Sequence, residues 1–335
     1  MTDAYEDWIR GARESERQGD TGAALYQYEH ALATLTDRGH DSRAADVLRY
    51  LGSVYRERGE VDRAEQRYTQ SYAAAEAMGY VDGMAHASNW LGVVAMGRGC
   101  LAEAEALFQR ARRQAGRTHN ERLTGAIEQN LGILTNIRGD LDAAVIHYRC
   151  ALAQFRAVAD EWMLGLVLNN LGLLHTDLRQ WEEAERVFDE AFDLAVSTGN
   201  SMLENSVEVN RAELGIARGR LDYAAEACTR AKVLAQLRSD RQREAEVLKF
   251  QGVIARERRD SIARELLTEA ASLARQCDDR LLMAEVAREL GELLYRDGEQ
   301  EEARISWARA MDLFQSLGAR LDYQEMQGRL SALAA

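Results

Sequence analysis

The chain has 335 residues and a formal charge of −13, with 42 basic against 55 acidic side chains, which disfavours attraction to nucleic acid or to an anionic membrane. Cys100, Cys150, Cys228 and Cys277 show no CxxC and no metal-ligand spacing, no apolar run is long enough to span a bilayer, and the opening Met-Thr-Asp-Ala-Tyr-Glu-Asp is too acidic for a signal peptide. These features predict a cytoplasmic protein without metal or other cofactor. Proline is absent, where average usage would give about 17; the arginine bias (two lysines, Lys232 and Lys249) is that of a GC-rich bacterial genome, which favours proline codons. Proline breaks helices, so its absence predicts a chain that is helical nearly end to end.

From the N-terminus onward a Leu-Gly pair recurs every 40 residues: Leu51-Gly52, Leu91-Gly92, Leu131-Gly132 and Leu171-Gly172. Arg211-Ala212 stands where the next is due, followed by Gln251-Gly252 and Leu290-Gly291, with one residue missing near Arg259-Asp260. Self-similarity at such a period marks a stacked repeat. The register divides the chain into eight units, 5–43, 44–83, 84–123, 124–163, 164–203, 204–243, 244–282 and 283–322. The tail 323–335, with Met326, Leu330 and Leu333 on one helical face, closes the array as a cap, and the whole is expected to form one domain.

Each unit reads as two amphipathic helices, A and B. In the fourth, helix A carries Ile127, Leu131, Leu134 and Ile137, and helix B carries Leu141, Ala144, Tyr148, Ala151 and Leu152. Gly59, Gly99, Gly139 and Gly219 end A helices, and Gly39, Gly79, Gly199 and Gly318 mark the turns from B to the next A. Glycine inside a helix costs about 0.5–1 kcal/mol, so the glycine of each pair implies a close helix crossing. A small residue answers it twelve positions later (Ala64, Ala104, Ala144, Ala184, Ala224), expected to face the glycine. A bulky one follows four further on (Tyr68, Phe108, Tyr148, Phe188), expected to fill the space between units.

The pattern L-G…A-x3-[FY]-x2-A resembles the tetratricopeptide repeat, and the resemblance covers essentially the whole chain; Trp8, Ala24, Tyr28 and Ala31 supply the first copy. The 40-residue period and the missing closing proline depart from the usual 34-residue form. They resemble the long-helix subclass found in kinesin light chains, in Pins/LGN-type adaptors and in bacterial regulatory arrays. The resemblance implies an all-α solenoid, a right-handed superhelix with the A helices lining a concave groove, and a binding rather than catalytic role.

On the groove side of helix A, Asn130, Asn170 and Asn210 occupy one position in three consecutive units, with Asn89 and Asn169 one residue earlier in theirs. A carboxamide donates and accepts, as gripping an extended peptide backbone requires, and the named subclass uses an asparagine there in this way. A bond to a neighbouring helix is the competing role. Gln129 and Asn136 share the face, as do the aromatics Tyr50, Trp90 and Phe250 and the basic side chains Arg49, Arg56 and Lys249 near the two ends. The middle is neutral and amide-rich except for Asp177. Six scattered histidines, no glycine-rich phosphate loop and no Ser–His–Asp set argue against an enzyme. The expected function is a scaffold binding an extended peptide segment of a protein partner. A sensory arm that binds a signalling peptide or restrains a separate effector is the alternative, and self-association into a structural assembly a further one.

Overall fold

A computed structural model describes residues 4–36 and 42–333, so the turn assigned to Gly39 lies outside the described residues. Within them the chain is a succession of antiparallel helix pairs: α1 (Ala4–Arg17) and α2 (Thr21–Thr36), α3 (Arg43–Glu57) and α4 (Val61–Ala77), α5 (Val81–Gly97) and α6 (Leu101–Thr118), α7 (Glu121–Ile137) and α8 (Leu141–Ala157). Then follow α9 (Glu161–Asp177) and α10 (Trp181–Ser197), α11 (Ser201–Ala217) and α12 (Leu221–Leu237), α13 (Arg241–Glu257) and α14 (Ala263–Gln276), α15 (Arg280–Arg296) and α16 (Gln300–Leu317), and a final α17 (Arg320–Leu333). The fold is an all-α solenoid. From α5 onward each A helix begins three residues before the boundary read from the Leu-Gly register, whereas α1 and α3 begin one residue before theirs. The chain forms two compact units, Met1–Leu134 and Thr135–Ala335, with the border inside α7.

Helix boundaries follow local chemistry. Asp140, Asp160, Asn200, Asp240 and Asp279 each accept a hydrogen bond from the backbone amide three residues on, at 2.9–3.2 Å, capping the next helix. The residue before each cap is left-handed, and glycine marks only some of these turns. His119, Ala159, Arg179, Ser239, Arg259 and Asp278 adopt the same conformation at φ 51–57° without it. A Cβ there costs about 1 kcal/mol. Ala159→Gly is therefore expected to stabilise the protein by up to about 1 kcal/mol, read from the urea midpoint.

Inside four of the pairs (α3–α4, α5–α6, α9–α10 and α15–α16) the Leu-Gly glycine meets a ring, not the alanine that was expected to face it. A Cβ on Gly52 would lie 2.5 Å from the Tyr68 ring and one on Gly92 2.6 Å from Phe108, while Ala64 and Ala104 are buried elsewhere in the interface. The ring also reaches the following A helix: Tyr68 stacks on Trp90 with centroids 5.7 Å apart, and Tyr28 on Tyr50 at 5.5 Å. One aromatic thus ties its own glycine to the next repeat. The sixth repeat changes both partners together: Ala212 replaces the glycine and Cys228 the ring, both buried, and Phe250 from α13 packs into the same cluster. In the seventh repeat Leu267 meets Gly252 fifteen residues on instead of sixteen. The missing residue therefore falls at the start of α14, whose first turn is non-helical. In α17, Met326 is fully buried against Trp307 and Phe314, and Leu330 and Leu333 pack beside it, as a cap requires.

Candidate functional site

The A-helix face is built from residues at fixed offsets from the Leu-Gly pair, so one helical register decides which side chains share it. In the first unit the Asn130 amide donates to Asn89 Oδ1 at 3.0 Å, and Asn89 is buried. Tyr50 and Trp90 are half-buried by their stacking on α2 and α4. Arginines cover them: Arg49 lies 4.5 Å and Arg13 5.5 Å from the Tyr50 centroid, and Arg56 5.1 Å from that of Trp90. Arg49 also pairs with Asp46 at 3.1 Å, while its buried Nε makes no hydrogen bond. Burial, reinforced by the Arg49 charge, pushes His86 down to about 4, so it is neutral at physiological pH. Gln129 is half-buried on α7.

In the second unit the same bond recurs two repeats on, with Asn210 donating to Asn169 Oδ1 at 2.8 Å and both residues 8% exposed. The expected row of asparagines therefore divides. Asn130 and Asn210 spend a donor on the neighbouring helix, whereas half-buried Asn170 makes no side-chain hydrogen bond within its unit. Half-buried Asn136 sits at the end of α7. Lys249 and Phe250 are both 7% exposed: Lys249 Nζ is 2.7 Å from Glu285 and 4.1 Å from the Phe250 centroid. Farther on, Arg256 pairs with Glu289 at 2.7 Å, and Arg288 joins Glu289 to Asp322. The basic end expected to anchor a ligand is thus spent on carboxylates of the next A helix. The reason is that adjacent A helices lie side by side, so a cation on one meets an acid on the next.

One residue of this face carries no motif of its own. Glu213 of α11 occupies the position held by Ile133 and Leu173 in earlier repeats. It makes no ion pair or hydrogen bond among the described residues. Burial, with Lys249 opposing and the carboxylates of Glu285, Asp177 and Glu246 adding, pushes its carboxyl up to about 7. Asp177 lies at the end of α9, where partial loss of hydration and the Asp322 carboxylate raise its carboxyl too. That approach depends on α17, whose Leu321 packs over the turn at Gly139. A break in the repeat's apolar column at residue 213 was the available sequence signal, visible only once the columns are aligned.

Asn210→Ala strands the Asn169 oxygen in a buried site and is expected to cost about 1–2 kcal/mol in urea unfolding. Asn170→Ala breaks no such bond and should stay within about 0.5 kcal/mol of the parent.

The tetratricopeptide repeat, as a sequence family, matches residues 83–157 and, in a second form, residues 166–198. No curated protein sequence matches the chain. Solved structures resemble it along most of its length. A Rap protein complexed with competence and sporulation factor has a TM-score of 0.69 at 15% identity, over 94% of this chain and 97% of that one. The apo quorum sensor NprR from B. thuringiensis has a TM-score of 0.69 at 12% identity, over 92% and 87%. Aspartyl phosphate phosphatase F from Bacillus subtilis has one of 0.68 at 11% identity, over 95% and 96%. At such identities the likeness is one of fold. Among the described residues no helix is long and apolar enough to cross a membrane. Residues 83–157 and 166–198 of this chain are tetratricopeptide repeats by sequence, and both stretches hold the repeated helix pair with its glycine–aromatic contact.

Proposed function

We propose that the protein is a regulatory scaffold that senses a peptide, binding an extended segment of a partner on the A-helix face of its second unit without catalysing a reaction on it. The observation that carries this reading is unspent polarity beside side chains that are spent on neighbouring helices. Between the Asn169–Asn210 bond and the Lys249–Glu285 pair, Asn170 keeps both halves of its amide and Glu213 keeps a carboxyl free. An extended peptide supplies alternating N–H and C=O groups for such an amide. The similar structures include a complex with competence and sporulation factor and a quorum sensor, which supports a sensory role.

Panning a library of short unstructured peptides against the full chain tests it. Peptides enriched on the parent should lose binding to Asn170→Ala, which retains its fold and stability. Peptides that bind Asn170→Ala as well as the parent would sink the reading.

A further inference from the structure

Away from the asparagine face, a pocket of about 300 Å³ opens between α8 and α10, with α9 as its floor. Leu168, Leu171 and His175 form the floor; Arg149 and Arg156 stand on one wall, and Arg186 with Glu183 and Glu190 on the other. His175 is 3% exposed, and its Nδ1 lies 2.6 Å from Gln180 Oε1, a bond that puts the proton on Nδ1. Among the described residues Nε2 has no hydrogen-bond partner, and His175 lines the pocket. Arg156 pairs with Glu190 at 2.8 Å and Arg186 with Glu183 at 3.0 Å. Three guanidiniums thus face two carboxylates, and Arg149 has no ion pair among the described residues.

The next groove along, between α10 and α12, shows what is missing. At the place equivalent to Arg149 stands Asp189, paired at 2.5 Å with Arg211, which replaces Leu171. Buried Glu208 replaces Leu168 and pairs with Arg211 at 2.9 Å and with Arg230 at 2.8 Å. That groove neutralises its charges internally, whereas the α8–α10 groove presents surplus positive charge over leucine. We propose that the pocket between α8 and α10 binds a small anion, a carboxylate or a phosphate, on the Arg149 guanidinium above His175.

Burial, together with the charges of Arg149 and Arg186, holds His175 below its ordinary pKa, against the Gln180 bond and the Glu183 carboxylate, which oppose this. An anion beside Nε2 reverses the balance. A proton from solvent then joins the anion on Nε2, so binding strengthens as pH falls.

Imidazole signals of the full chain, selectively labelled at histidine, provide the readout. Sodium phosphate and sodium succinate are titrated separately at ionic strength held constant with sodium chloride. The expected result is a saturable shift of His175 and a rise in its protonation midpoint, weakened about tenfold or more in Arg149→Gln and less in Arg149→Lys, which keeps the charge but not the fork. A response to phosphate alone assigns a phosphate ligand, and one to succinate alone a carboxylate. The proposal is overturned if sodium chloride moves His175 equally, or if Arg149→Gln binds as the parent does.

Discussion

Gly172→Ala is expected to destabilise the protein by about 2 kcal/mol, although alanine is the better helix former. The new Cβ would stand 2.6 Å from Cδ1 and 2.7 Å from Cζ of Phe188, a ring buried completely between two repeats. Overpacking of this kind costs about 1–3 kcal/mol, and the gain in helix propensity returns at most about 1. Phe188→Cys alone should cost about 3 kcal/mol by leaving a cavity. The sixth repeat, with Ala212 and Cys228, has made both changes at once. The double variant Gly172→Ala/Phe188→Cys should therefore lose at least about 1 kcal/mol less than the sum of its parts. Urea unfolding of the four proteins measures this, and strict additivity would show that glycine and ring are not partners.

Glu213→Gln should change the pH dependence of stability markedly. The folded carboxyl titrates near 7 against 4.5 for the ordinary group. Below pH 4.5 both folded and unfolded chains hold the proton, and the residue costs nothing. As pH rises from there toward 7, the unfolded chain releases its proton first, so stability falls across that window and stays lower above it. The loss is about 2 kcal/mol, scaled down from the full shift because the side chain still touches solvent. Glutamine cannot ionise, so the variant should match the parent near pH 4 and exceed it by about 2 kcal/mol at pH 8. Parallel stability curves for the two proteins would show that Glu213 is ordinary in the fold.

The repeat, the helix pairs and the cap were legible in the chain because each rests on local spacing. A 40-residue beat and apolar steps of three and four are properties of neighbours in sequence. Even so, the beat placed the glycine opposite the wrong partner. Alanine and ring sit four residues apart on one helix face, and only the interhelix distance decides which of them touches Gly52 or Gly92. The left-handed turns were half visible: Gly139 announces one, whereas Ala159 and Arg179 are forced into the same conformation by the packing on either side.

The A-helix face was legible as a face but not as a set of bonds. Asn130, Asn170 and Asn210 are equivalent in register, yet two of them spend a donor on Asn89 and Asn169 while Asn170 does not. Lys249 read as a basic side chain near one end of the groove, but the next helix brings Glu285 to 2.7 Å of it. Sequence alone determined that this protein is a stack of helix pairs and which column of each A helix looks outward, because helical periodicity is a local property. Tertiary structure decided which polar groups on that column remain unspent, because hydrogen bonds and ion pairs between repeats join residues about 40 apart; their formation depends on how closely adjacent helices approach.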